Sequence, residues 1–185
     1  MLFFIGGAAR TGKGILARRL LADMGLPYLS LDVLKMGLAR GAPDFAIDPD
    51  GGAIQVAALL WPLVREMSIS LLYDEVDYVF EGEILPKDVH ALREMYPTQI
   101  KAYFLGYTNI MPIPKLTEIR AHAGHPNDWS QHYTDKDLLA IIHREIGFSK
   151  YLQAECAMYH LQYCDTLQQF LARLDEVVEY VRETR

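Results

Sequence analysis

The sequence predicts an α/β fold in which five parallel strands alternate with helices, the sheet is covered on both faces and two crossovers are enlarged. Three observations predict it. The chain opens on the apolar run Leu2-Phe3-Phe4-Ile5, which leads at once into a glycine-rich loop and a helical pattern. Short apolar-rich runs recur at Tyr28–Leu31, Tyr78–Phe80, Ile100–Leu105 and Tyr159–Tyr163. Between them lie longer stretches with apolar residues at helical spacing.

The first strand is expected over residues 2–6, central and parallel because it is wholly apolar. Gly7-Ala8-Ala9-Arg10-Thr11-Gly12-Lys13-Gly14 follows, with Ile15 next. A strand, a loop with Gly-Lys at this spacing and then a helix is the context of a phosphate-binding P-loop. Gly7 and Gly12 allow a tight turn and a close approach to an anion. Residues 7–15 would turn backbone N–H groups toward phosphates, and Lys13 would add a mobile charge. Gly14 stands where the strict pattern has Ser or Thr.

The first helix is expected from about 13 to 24, closed by Gly25. The second strand, Tyr28–Leu31, delivers Asp32 at its C-terminal end, where ligands sit in open α/β sheets. Asp32 suits two roles, N-cap of a helix over 33–39 and a group in catalysis or substrate binding. Residues 41–52 read as a loop, and a long helix runs from Ala53 to about Leu72, kinked or divided at Pro62. Arg40 and Arg65 are candidates for binding substrate, Arg65 having a surface pairing with Glu66 as its other reading.

The third strand ends in Glu81-Gly82-Glu83. A strand-end carboxylate opposite the P-loop lysine can hold Mg²⁺ directly or through water, so Glu81 is the first metal candidate and Glu83 the second. Pro86 opens a helix to Met95, and the fourth strand covers 100–106. Met111-Pro112-Ile113-Pro114 reads as a rigid connector, followed by Lys115–Ala123 and a loop over 124–129. Thr134 caps the next helix, and a further helical stretch runs through Met158. Tyr159–Tyr163 is the fifth strand, Thr166 to Gln169 fits a capping box, and a one-faced helix from Leu167 to Val181 closes the fold.

His122, His125 and His132 cluster beside Asp128. Zinc needs three or four converging ligands, and Cys156 and Cys164 are remote, so a polar loop or a substrate-touching lid is expected there instead. The two cysteines form no Cys-x-x-Cys unit and fit a reducing compartment. The 185 residues suit one domain, 51% of them apolar and 23% charged. With Lys plus Arg at 18 and Asp plus Glu at 24, the net charge of −6 argues against a protein built to bind nucleic acid non-specifically. No 18-residue stretch is unbroken in its apolarity, and the first strand lacks a basic leader, so a cytoplasmic protein without membrane contact is expected.

The residues quoted carry a resemblance to the P-loop kinases of small molecules, in the nucleoside-monophosphate-kinase group. Gly12-Lys13-Gly14 resembles the adenylate kinase version of the loop, with Ile15 where a Thr usually follows. Glu81-Gly82-x-x-x-Pro86 is similar to the family's acidic segment after strand three, with Glu for Asp and no arginine after the proline. Asp32 matches a strand-two carboxylate that contacts or deprotonates an acceptor hydroxyl, and Cys164-Asp165-Thr166 is similar to the adenine-side loop. The resemblance implies the P-loop-containing nucleotide hydrolase fold over residues 1–185, an acceptor-side crossover at 32–75 and a lid-like crossover at 108–158. It also implies Mg·ATP as phosphate donor, a hydroxyl or a nucleotide phosphate as acceptor, and Arg120 and Arg144 as lid arginines with a catalytic role. Two other readings stay open: a P-loop NTPase or nucleotide-controlled switch, and a nucleotide-binding protein without catalysis.

Overall fold

The computed structural model describes residues 1–122 and 129–185. Its strands are β1 (Leu2–Gly7), β2 (Tyr28–Ser30), β3 (Tyr78–Gly82), β4 (Ile100–Gly106) and β5 (Gln162–Asp165). Its helices are α1 (Lys13–Met24), α2 (Leu31–Gly41), α3 (Ala53–Tyr73), α4 (Pro86–Met95), α5 (Pro112–Ala121), α6 (Asp135–Met158) and α7 (Phe170–Thr184). Every strand pair is parallel, in the order β2-β3-β1-β4-β5. The expected α/β architecture, with helices on both faces, is the observed one.

Alternation along the central strands builds two cores. Phe4, Phe80 and Phe104 face Val56, Leu60 and Val64 of α3, Val89 of α4 and Leu152 of α6. Phe3, Ile5, Val79 and Leu105 face Leu16 and Leu20 of α1 and Leu174, Val177 and Val181 of α7. Both faces of β1 are therefore dry, which is why its six residues carry no polar side chain. The loop that leaves its C-terminal end inherits that rigidity.

Several elements differ from expectation. Helix α2 starts two residues earlier, so Ser30 takes the N-cap position and Asp32 stands in the first turn, where a carboxylate favours the helix dipole. Pro62 does not divide the helix, since α3 runs unbroken through it. Length and composition would let α3 cross a membrane, but Val56, Ala57, Leu60, Val64 and Leu72 are buried in the core. Pro112 is the start of α5 and not part of a connector, and α6 is one helix of 24 residues, with Thr134 accepting from Asp137 N as expected of a cap.

The last strand is shifted. Tyr159 and His160 lie in a turn, with His160 at φ 51°, and β5 begins at Gln162. The capping box does not form: Thr166 Oγ1 donates to Gly106 O at 3.2 Å, and α7 begins three residues after the expected Leu167. A tertiary contact to the neighbouring strand has taken the hydroxyl that the local pattern assigned to the helix.

Candidate phosphate-binding site

Strand β1 and helix α1 bracket the glycine-rich loop, as the sequence predicts. Two glycines are required by geometry. A Cβ on Gly7 (φ 154°) would lie 2.3 Å from Leu105 O, and one on Gly12 (φ 89°) would lie 2.6 Å from the Phe170 ring. Gly14 is different: the only atom within 4 Å of its virtual Cβ is Arg18 Nη1, at 3.8 Å. Arg10 also has positive φ, 61°, an uncommon state for a residue with a side chain.

The loop is held by its own polar groups and by two neighbours. Thr11 Oγ1 donates to Ala8 O at 2.8 Å, and Lys13 Nζ donates to the same oxygen at 2.7 Å. Ala8 N donates to Leu105 O at 3.1 Å. Ala9 N donates to Glu145 Oε2 at 2.6 Å, across 136 positions of sequence. Lys13 is buried, so its charge sits in a low-dielectric recess at the C-terminal edge of the sheet. Ile15 is 41% exposed and turns away from the core.

Three strand ends lie side by side at this edge of the sheet. Ile5 is in register with Glu81, and Glu81 with Ser30. Glu81 is 6% exposed, and its carboxylate makes no hydrogen bond or ion pair with the described residues. Beside it, Lys35 Nζ bridges two carboxylates, Asp32 Oδ1 at 2.9 Å and Glu83 Oε2 at 3.4 Å. Lys35 and Glu83 are mostly buried, while the Asp32 side chain is 62% exposed and faces open space.

These groups act on one another. Partial desolvation pushes the Asp32 carboxyl up, but Lys35 and then Lys13 outweigh it and hold it below the usual carboxylate value. Burial pushes Glu83 up; Lys35 and Lys13 pull it back, Asp32 and Glu145 add to the rise, and the result stays above the usual value. Lys35 loses charge stability to burial but gains more from Glu83 and Asp32, so its ammonium is held above the ordinary range. Asp32, Lys35, Glu83, Glu145 and Lys13 are thus one electrostatic unit. It brings together Asp32, Glu83 and Lys13 of the sequence candidates.

The arginine candidates lie elsewhere. Arg40 is exposed in the last turn of α2, eight residues or about 12 Å along the helix from Asp32. Arg65 pairs with its neighbour Glu66. Arg120 donates to Asp135 Oδ1, Ser130 O and Tyr133 O, and so clamps α5 to the start of α6. Arg144 is exposed on α6. Asp165, at the end of β5, accepts from Thr108 N, Thr108 Oγ1 and Leu167 N, which occupies its oxygens within the fold.

Sequence reasoning missed three buried charges. Lys35 and Glu145 belong to the unit above. Lys115, 3% exposed, pairs with Glu118 at 2.8 Å and stands 4.5 Å from the Tyr107 ring centroid. The Tyr107 phenol is raised by burial and then by the charges of Glu145 and Glu118. An i, i+3 pairing of Lys35 with Asp32 was the one signal visible in sequence. Among the described residues, no group of three or more His, Cys, Asp or Glu side chains is arranged to hold a metal ion. His125, Asp128 and the expected loop around them lie outside the described residues.

No protein-family model matches the chain, and no curated protein matches it in sequence. Solved structures do match. Shikimate kinase from Bacteroides thetaiotaomicron superposes with a TM-score of 0.55 and 16% identity, covering 98% of this chain and 98% of that one. A gluconokinase from Sinorhizobium meliloti superposes with a TM-score of 0.56 and 15% identity, covering 97% of this chain and 94% of that one. At these identities the likeness establishes the fold, and the five-stranded parallel α/β arrangement read from the sequence is the one these structures match.

Proposed function

We propose that this chain is an ATP-dependent phosphotransferase, a divergent relative of the nucleoside-monophosphate-kinase group, that moves the γ-phosphoryl group to a hydroxyl of a small molecule. One observation carries the reading: a glycine-rich loop between β1 and α1 holds the buried Lys13, and Asp32 follows the end of β2 at the same edge of the parallel sheet. A phosphate cradle and a carboxylate just beyond the end of β2, two strands away from β1, are the two halves of a phosphoryl-transfer site. The matched structures named as kinases of small molecules support it.

In this reading residues 7–15 hold the donor phosphates and Lys13 moves from Ala8 O to the transferring group. The acceptor oxygen forms a bond to the γ-phosphorus, the bond from that phosphorus to the β–γ bridging oxygen breaks, and ADP leaves. Asp32, kept ionised by Lys35 and Lys13, orients the hydroxyl and accepts its proton. Glu81 fits a Mg²⁺ ligand, being a buried carboxylate that no described donor satisfies. Bound there, the ion would neutralise charge on the phosphate oxygens. The 32–75 crossover is the acceptor side and the 108–158 crossover the lid, though the contacts of Arg120 give it a structural role within that lid.

A hydroxyl acceptor is favoured over a phosphate. Lys35 pairs with both Asp32 and Glu83, so the groups beside the loop are a lysine between two carboxylates. An anionic acceptor approaching Asp32 would meet a like charge, whereas a hydroxyl can donate to its carboxylate. The test is ADP release from Mg·ATP with panels of sugars, nucleosides and amino alcohols beside panels of nucleoside monophosphates. Release that rises only with hydroxyl compounds supports the reading. Release driven by a nucleotide acceptor would move it to a nucleotide kinase, and acceptor-independent hydrolysis to an NTPase.

A further inference from the structure

Glu145 has no part in the chemistry above, yet it touches the loop on which that chemistry depends. It is 7% exposed, lies in the middle of α6, and its Oε2 accepts from Ala9 N at 2.6 Å. A carboxylate accepting a backbone N–H in a buried setting forms a charge-assisted bond, stronger than its neutral counterpart. One turn later on the same helix, Ser149 Oγ accepts from Tyr107 N at 3.1 Å and donates to Glu145 O at 2.8 Å. Helix α6 is therefore fastened both to the loop and to the end of β4. The residue after Ala9 is Arg10 at φ 61°, a conformation that persists only where surrounding contacts fix it. On the other side, Ala8 O takes both Thr11 Oγ1 and Lys13 Nζ.

We infer that Glu145 is a positioning residue that holds the loop at Ala9 and Arg10 in its phosphate-receiving shape, so that the 108–158 crossover is mechanically joined to the donor site. The inference rests on reading residues 7–15 as a phosphate cradle, but the contact itself is independent of what the acceptor is. Glu145→Gln keeps an acceptor oxygen for Ala9 N and removes the charge. Glu145→Met keeps the bulk and removes the acceptor. Lys150→Ala, an exposed change on the same helix, is the control.

Two readouts are taken on the three variants and the wild type: amide hydrogen exchange in the nucleotide-free protein and calorimetric binding of Mg·ADP. In Glu145→Met, exchange at residues 9–12 should quicken about tenfold, with strands β1 and β4 as protected as before, and Mg·ADP affinity should fall about tenfold. Glu145→Gln should stay within about threefold of wild type on both, since its amide oxygen still accepts. Wild-type exchange at residues 9–12 in Glu145→Met would overturn the inference, as would equal damage in Glu145→Gln. Loss of protection across β1 and β4 in Glu145→Met would make Glu145 a general fold contact and overturn it too. If the wild type binds no Mg·ADP, the nucleotide reading falls while the exchange measurement still decides whether Glu145 holds the loop.

Discussion

The ammonium of Lys35 lies 2.9 Å from Asp32 Oδ1, one helical turn away on α2, and sets the charge of that carboxylate. Asp32 is held below its ordinary value despite desolvation, so it contributes stability above the unfolded value of about 3.9 and loses it as pH falls through the folded value. Lys35 is held above its ordinary value despite burial, so its contribution is complete below about 10.4 and lost as pH rises through the folded value. Glu83 runs the other way: raised chiefly by burial, it favours the folded state in acid and loses that contribution as pH rises through its folded value. Lys35→Met should move the Asp32 titration upward, and with it the acid limb of the turnover profile. Carboxyl NMR titration checks this, and an unmoved Asp32 in the variant would sink the coupling.

Lys13→Ala should reduce turnover by at least about a hundredfold, because the charge that follows the transferring group is gone. The fold should survive, since the deleted ammonium has one described partner, Ala8 O, which Thr11 Oγ1 also serves. Circular dichroism and ADP release on one sample decide it. A folded variant with wild-type turnover would remove the loop from the mechanism.

The parts of this design that sequence made legible are those fixed by local chemistry. β1 is legible because both its faces are buried, and the loop because Gly7 and Gly12 answer to sterics within a few residues of themselves. Thr134 caps α6 as its position predicts. What escaped depends on partners distant in sequence. The position of β5 is set by pairing with β4 from Tyr103 to Gly106, and Thr166 is drawn to Gly106 O instead of to a helix start. Glu145 reads as one more polar residue on an amphipathic helix until the fold brings Ala9 N to it. Arg120 is a lid candidate through the resemblance and its place in the 108–158 crossover, yet it meets Asp135 and two carbonyls.

Glu81→Gln should separate stability from activity. Glu81 is 6% exposed at the end of β3, and its carboxylate has no hydrogen-bond partner among the described residues. Replacing it with a neutral amide of the same shape should raise the melting temperature while raising the Mg²⁺ concentration needed for half-maximal turnover. A lower melting temperature, or an unchanged Mg²⁺ requirement, would remove Glu81 from the metal assignment.

The glycines of the loop should differ in rank. Gly7→Ala places a Cβ against a backbone oxygen of β4 that cannot move without disturbing the sheet, so a loss of roughly 2–4 kcal/mol is expected. Gly12→Ala meets the flexible end of Phe170 but keeps an unfavourable φ, for roughly 1–3 kcal/mol. Urea denaturation midpoints give the order. If Gly12→Ala proved the more harmful, the ring of Phe170 would be less able to yield than its place at the edge of α7 implies.

Gly14→Ser is the change that the loop's departure from the strict pattern invites. Unlike Gly7 and Gly12, Gly14 has no positive φ, and its virtual Cβ meets nothing nearer than Arg18 Nη1 at 3.8 Å. It lies in the first turn of α1, where a serine also costs less backbone entropy than glycine. The variant should fold at least as stably as wild type. Its hydroxyl would offer the oxygen that other P-loops present to Mg²⁺, so the metal concentration for half-maximal turnover should fall. Titrating Mg²⁺ at fixed ATP measures this directly. A stable variant whose Mg²⁺ requirement is unchanged would mean that the ion sits beyond reach of position 14, and that Glu81 and the phosphates hold it without help from the loop.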